Sequence, residues 1–313
     1  MTPPIVDFIP TPDSLLRTPY LAFESAANIL GVATTFFTNS AYVRGVVEET
    51  FGHWRSSHGT IEYDRTHVRI EIIVHDAIPD GGQPTPVHSM STTDGRLFVH
   101  AATAFAVVDP ARHESIAYVS PSFAAEREPF RVQLLEAITF ALIAAFDRHP
   151  LHASAIVRGE HAVLFAGASG AGKSTLAYVA HSAGIAVLGE DRVWIQLEPQ
   201  FRVWGHATGV RLSVEPGSAN KVTVPLGASS NRPTVANRAT LCVLERGEHA
   251  SLDALDSGAL TEALERQVAP GFDRFPERHQ RVVRALTGGG GWRLTLSKDP
   301  RDALPFLDRL LSS

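Results

Sequence analysis

Residues 162–175 read Ala-Val-Leu-Phe-Ala-Gly-Ala-Ser-Gly-Ala-Gly-Lys-Ser-Thr. A short apolar run, Ala162 to Ala166, enters a glycine-rich loop. The loop, Gly167-Ala168-Ser169-Gly170-Ala171-Gly172-Lys173-Ser174, fits the Walker A pattern G-x-x-x-x-G-K-[ST] at every fixed position. A helix-like stretch, Thr175 to Ala183, follows. Strand, loop and helix therefore come in the order a phosphate-binding loop requires. Glycines allow backbone N–H groups to turn inward around phosphate oxygens. The helix that starts there adds the positive end of its dipole. Lys173 has the reach for β- and γ-phosphates, and the Ser174 hydroxyl suits Mg2+. The candidate nucleotide-binding residues are Gly167, Ser169, Gly170, Ala171, Gly172, Lys173, Ser174 and Thr175. The alternative is a plain glycine turn before a chance lysine.

The surroundings of the loop set its context. Pro129 to His149 carries Leu134, Leu135, Ile138, Leu142 and Phe146 at a helical period. Leu151 to Arg158 and His161 to Ala166 are strand-like and joined by Gly159-Glu160, which predicts a hairpin. The strand that delivers the loop then has an antiparallel neighbour, unlike the parallel βαβ unit of a GTPase. Downstream, strands are expected at Ile185–Leu188, Arg192–Leu197, Phe201–Trp204, Ala239–Leu244 and Trp292–Leu296. Helices are expected at Leu260–Val268, at Pro276–Leu286 and from Asp299-Pro300 to Leu311. Upstream, residues 1–20 are proline-rich. A helix is expected over Ser40–Trp54, and strands at His67–His75, Arg96–His100, Ala104–Val108 and Ser115–Val119. The turn-rich stretches 76–94 and 218–237 read as loops. The division expected is a β-rich unit over 1–125 and a loop-bearing α/β domain over 126–313.

A phosphotransfer site also needs a carboxylate near the metal and an acceptor for the proton of the attacking hydroxyl. Glu190-Asp191 closes the apolar run Ile185–Leu188, which is expected beside the loop strand. An acidic turn between two strands is the competing reading. Arg211, in Thr208-Gly-Val-Arg-Leu212, suits a phosphate or a substrate carboxylate, or a solvated strand position. His152, taken alone, is a strand histidine.

These pieces together resemble the HPr kinase/phosphorylase family. Its kinase domain carries a histidine-bearing strand, a hairpin, a G-x-S-G-x-G-K-S loop, and a strand ending in Asp-Asp-Arg-Val. Here the counterparts are Leu151-His152-Ala153, Gly167 to Ser174, and Gly184-Ile-Ala-Val-Leu-Gly-Glu-Asp-Arg-Val193. The resemblance covers residues 150–197 well. It implies a mixed-sheet α/β fold like that of phosphoenolpyruvate carboxykinase. It also implies ATP- and Mg2+-dependent phosphoryl transfer to a serine hydroxyl of a small protein or peptide. Lys173 and Ser174 would hold phosphate and metal, Asp191 and Glu190 would share the base and metal-side roles, and His152 would lie near the γ-phosphate. Glu190 and Thr175 depart from the family's Asp and Glu, and its Glu-Ile/Leu-Arg-Gly signature has only Arg211 as counterpart. The arrangement is most similar to stand-alone members that accompany peptide natural-product pathways. The family assembles into rings, so a homo-oligomer is among the expectations. Small-metabolite kinase and nucleotide-sensing module remain the alternatives.

Composition narrows the field further. The 313 residues carry a formal charge of −5, which gives no polybasic footprint for nucleic acid. The most apolar stretch, Leu134 to Phe146, falls short of the ~20 residues of a membrane span. The N-terminus has no basic region leading an apolar one, so a cytoplasmic protein is expected. Cys242, the single cysteine, sits in an apolar strand and reads as core. No histidine has the neighbours of a zinc site.

Overall fold

The structure, a computed structural model, describes residues 7–9, 20–54, 64–76, 88–91, 95–213, 221–226, 233–265 and 276–312. The chain divides into two compact units, Met1–Phe146 and Asp147–Ser313. The helix expected to open the second domain thus belongs to the first unit, and the boundary falls at 146 rather than 125. In the first unit β1 (Phe23–Ile29), β2 (Val32–Thr38), β3 (Asp64–Val74), β4 (His88–Ser91), β5 (Leu97–Ala101), β6 (Ala104–Asp109) and β7 (Glu114–Val119) form one sheet. Its order is β1-β2-β3-β7-β6-β5-β4. Ser40 caps the Ala41–Phe51 helix by accepting a hydrogen bond from the Val43 amide. Of the expected loop 76–94, residues 88–91 are strand β4, and 77–87 and 92–94 lie outside the described residues. Most of the proline-rich first twenty residues also lie outside them.

The helix Arg127–Phe146 is longer than the run Leu134–Phe146, and by length and composition alone it could cross a membrane. Its buried Leu134, Leu135, Ile138, Leu142 and Ile143 instead mark it as a core helix of this unit. The chain leaves it before His149, because Pro150 cannot continue a helix. His149–Leu151 becomes strand β8.

The second unit is built around β9 (Ser154–Arg158) and β10 (His161–Ala166), the expected hairpin, with Arg158 paired to His161 across a two-residue turn. The remaining strands are β11 (Ala186–Gly189), β12 (Val193–Gln196), β13 (Arg202–Gly205), β14 (Gly209–Ser213), β15 (Lys221–Pro225), β16 (Val235–Ala236), β17 (Arg238–Arg246), β18 (Ser251–Leu255) and β19 (Gly291–Leu296). The main sheet has the order β11-β9-β10-β17-β19-β18, a smaller one β16-β13-β12-β8, and β14-β15 form a ribbon. Every residue of β10 is buried, as expected for a central strand covered on both faces. Val163 and Phe165 pack against Leu176, Ala180, Leu307 and Leu310 on one face. Ala162, Leu164 and Ala166 pack against Leu260, Leu264, Val282 and Val283 on the other. Full burial of a side chain such as Phe165 is worth roughly 2–3 kcal/mol. The α/β architecture with mixed sheets agrees with the expected fold class. Cys242 is fully buried, and burial pushes its thiol pKa up.

Two expectations change here. The strand that ends in Glu190-Asp191 is not beside the loop strand. β9 lies between them, because the hairpin partner inserts at that position, and the parallel neighbour of β10 is β17. Two antiparallel steps still leave β11 running the same way as β10, so both strands end at one edge. The stretch 218–237 is not a single loop, since it supplies β15 and β16, while 218–220 and 227–232 lie outside the described residues.

His149 on β8 meets His279 of the Pro276–Thr287 helix, with 2.9 Å between Nε2 and Nδ1. The two outer ring nitrogens, His149 Nδ1 and His279 Nε2, are buried without a hydrogen-bond partner. Burial, then the neighbouring His279 and Arg278, lower the His149 pKa to about 4, with Asp147 opposing them. A lowered histidine pKa in the folded state means that the unfolded chain takes the proton first. Stability is therefore complete above about pH 6.5 and falls as pH drops from there toward 4. We expect the wild-type melting temperature to fall between pH 7 and pH 5 by more than that of His149→Gln. The stability difference should be at most ~2 kcal/mol after solvent screening. Equal slopes for the two proteins would remove His149 as the cause.

Candidate functional site

The site lies where β9, β10, β11 and β17 meet one edge of the main sheet. β10 runs into the loop Gly167–Gly172, and the helix Lys173–Ser182 starts immediately after it. Gly172, the N-cap, has φ +107°, a left-handed conformation that only glycine adopts without strain. Gly170 has φ +84° for the same reason. A Cβ on Gly167 would come within 3.0 Å of the Ala171 Cβ and 3.2 Å of the Leu244 carbonyl oxygen. The glycines of the pattern are thus required by backbone shape and by packing. Ser169 and Gly170 form the exposed tip, Ala171 is half-buried, and Thr175 lies half-buried in the first helical turn.

Lys173 is buried, and its ammonium folds back to donate to the carbonyl oxygens of Gly167 at 2.6 Å and Ala168 at 3.3 Å. Ser154, the first residue of β9, donates to the Lys173 carbonyl at 3.4 Å and ties the hairpin to the helix start. Next to it, Ser174 Oγ donates to Glu190 Oε1 at 2.6 Å. Arg211 on β14 spans both acids, with Nε donating to Glu190 Oε2 at 3.3 Å and Nη2 to Asp191 Oδ2 at 2.9 Å. Asp191 Oδ1 lies 3.5 Å from His152 Nε2. One connected line of polar contacts therefore runs from the loop serine through Glu190, Arg211 and Asp191 to His152. All the residues singled out from the sequence for chemistry are brought together here.

Local structure explains how. A register shift between Val187 and Gly189 in the β11–β9 pairing re-aims the end of β11, which sends the Glu190 side chain to Ser174. His152 is not within a strand: it lies in the tight turn between β8 and β9, closed by the Ala153 amide donating to the Leu151 carbonyl at 2.9 Å. That turn moves the chain from the small sheet into the main one and leaves the imidazole at the sheet edge. Burial, then the Lys173 ammonium, lower the His152 pKa, with Asp191 opposing them. Burial and the ammonium thus favour the neutral imidazole, and Asp191 favours the charged one. Glu190 is nearly buried, at 9 % side-chain exposure, whereas Asp191 is open at 38 %. Burial is the first influence on Arg211, but the two carboxylates outweigh it and raise the guanidinium pKa.

Two oxygen donors suited to a small hard cation meet here, the Ser174 hydroxyl and the Glu190 carboxylate, and Asp191 follows next in the chain. Among the described residues no group of three or more His, Cys, Asp or Glu side chains forms a metal cage. Mg2+ keeps several waters and needs only one or two carboxylates, so the donor set fits it. The sequence reading did not select Arg246, whose guanidinium rests against Gly172. Its signal was available, since it ends a buried strand at the edge where α/β sheets take ligands.

No protein-family model and no curated protein matches the chain. Among solved structures, the Hpr(Ser) kinase/phosphatase from Coxiella burnetii aligns over 52% of this chain and 93% of its own, at 13% identity and a TM-score of 0.30. The functional reading is accordingly carried by the residues of the site.

Proposed function

We propose that the second unit is an ATP- and Mg2+-dependent kinase that transfers the γ-phosphoryl group to a serine hydroxyl of a small protein or peptide. The observation that carries this reading is the unbroken polar line from Ser174 of the glycine loop to Asp191 and His152. A loop that only held phosphate would need no open carboxylate beside it. In this reading the Gly167–Gly172 backbone and Lys173 hold the phosphates. Ser174 and Glu190 would hold Mg2+, which when bound would neutralise charge on the phosphate oxygens. Exposure supports a division of roles between the two acids. Glu190 is nearly buried and already accepts the Ser174 hydroxyl, which suits a metal-side role. Asp191 is open to an incoming hydroxyl and takes its proton as the new P–O bond forms and the bond to the β–γ bridging oxygen breaks, releasing ADP. His152, next to Asp191, orients that carboxylate. The serine acceptor follows from the sequence resemblance, and the peptide context with it.

Asp191→Asn is expected to lower turnover by about 10²-fold, because the amide cannot accept the proton. ATP affinity measured without Mg2+ should be retained. The test is transfer of label from γ-labelled ATP in extract of the source cell, wild type beside Asp191→Asn, with products resolved by size. A labelled polypeptide seen with wild type and strongly reduced with the variant supports the proposal. Label confined to small molecules points to a metabolite kinase. One observation favours a second reading, a nucleotide-sensing module: Arg211 occupies both carboxylates at once. Tight ATP binding with no label transferred by wild type would select it.

A further inference from the structure

We infer that Arg246 anchors the nucleoside-side phosphates of the bound nucleotide. The nucleotide then lies along the sheet edge with its nucleoside end over β17 and β19 and its transferred end over β9 and β11. This deepens the kinase reading and rests on it. β17 is the parallel neighbour of β10, with Val243 opposite Ala166. Its last residue, Arg246, therefore flanks the glycine loop from the side opposite β9 and β11. Alternation along the strand puts Cys242, Leu244 and Arg246 on one face, the face covered by the Lys173–Ser182 helix. The packing agrees: Cys242 and Leu244 belong to the cluster that holds Leu176 and Ala180 of that helix.

At Gly172 the fit is close. A Cβ there would lie 2.7 Å from Arg246 Nη2 and 3.0 Å from a Leu296 methyl carbon. Glycine is demanded at this position by its φ, and the Arg246 guanidinium lies in the space a side chain would take. The guanidinium in consequence sits on the first turn of the helix, whose outward N–H groups carry positive partial charge. A cation at that end is electrostatically disfavoured. Among the described residues no carboxylate pairs with Arg246, and its hydrogen bond is a long one, Nη1 donating to the Ser297 carbonyl at 3.5 Å. A guanidinium has five N–H donors to place. A helix start and an uncompensated guanidinium side by side call for one anion bridging them.

Charge then fixes the direction in which a nucleotide lies. Glu190 and Asp191 stand on the Ser174 side of the loop, where a proton acceptor and a metal are needed, so the transferred phosphoryl group belongs there. Arg246 stands on the other side, so it meets the phosphates that ATP and ADP share.

The test is calorimetric titration of the full chain with ATP and with ADP, in wild type, Arg246→Ala and Arg246→Lys. The side chain is exposed, and equal melting temperatures will show that both variants are folded. Arg246→Ala is expected to weaken ATP and ADP by the same factor, about tenfold for a lost charge-assisted contact. Arg246→Lys should recover part of the loss. A fall for ATP with ADP unchanged would put Arg246 at the transferred phosphate and overturn the assignment. Unchanged affinities in Arg246→Ala, with wild type binding both nucleotides, would overturn it alone. A wild-type chain that binds neither nucleotide would overturn the kinase reading and this one with it.

Discussion

Lys173→Ala is expected to reduce phosphoryl transfer by about 10³-fold while leaving the chain folded. The residue is buried at the start of a helix, and its ammonium donates to two loop carbonyls. Such a position costs desolvation free energy that neutral carbonyl dipoles only partly offset. Removing the charge should therefore be nearly neutral for folding, and a melting curve close to wild type is predicted. Function should respond very differently. Lys173 is the cation that the loop places at its own centre, where charge on a transferring phosphoryl group needs compensation inside a partly dry site. Arginine would not be a conservative replacement, since its planar fork spreads its donors differently from a compact ammonium. The measurement is initial rate with γ-labelled ATP at saturating acceptor, together with thermal unfolding. Unchanged turnover in a folded Lys173→Ala protein would sink the kinase reading.

The largest effect on stability is predicted for Gly205→Ala. Gly205 ends β13 at the point where the small sheet crosses the end of β11. An added Cβ would lie 1.9 Å from the Leu188 carbonyl oxygen and 2.5 Å from its carbonyl carbon. The obstacle is backbone, so no side-chain rotation relieves it. One of two ordered strands has to move: β13, held by β12 and by Gly205 N–H donating to Thr234, or β11, held by β9. Backbone overpacking of this kind is expected to cost about 4 kcal/mol or more, a large share of the stability of an ordinary domain. Chemical denaturation of wild type and variant measures it. A loss below about 1 kcal/mol would show that β13 does not press on Leu188 as described. Leu188 is two residues before Glu190, so any molecules that do fold should also carry a displaced carboxylate and a reduced transfer rate.

Both positions show what the sequence makes legible and what it hides. The glycine loop could be read because its residue types are dictated locally, by positive φ at Gly170 and Gly172 and by the helix that begins at Lys173. The β9–β10 hairpin was legible for the same reason, through its Gly159-Glu160 turn. What the sequence did not disclose depends on contacts between distant segments. Nothing in Ala186–Gly189 says that β9 will stand between it and β10. Nothing in Arg202–Gly205 says that its final glycine must pass against Leu188. β1 and β2 escaped because their buried positions include Ser25, Ala27, Thr34 and Thr35, which blur the hydrophobic alternation. His152 was assigned to a strand because Leu151 and Ser154 both are strand residues, and only the switch between sheets reveals the turn. Arg246 escaped because its meaning depends on which strand runs parallel to β10.

The burial of Cys242 has a practical consequence. The chain holds one thiol, it is fully buried, and its raised pKa leaves almost no thiolate at neutral pH. The native protein should therefore be silent toward maleimides and similar reagents. A cysteine placed at Val222, which is 56% exposed on the ribbon partner of the strand that bears Arg211, would be the sole reactive site. A dye attached there would report on the surroundings of the Arg211 strand when nucleotide is added, without background from the rest of the molecule.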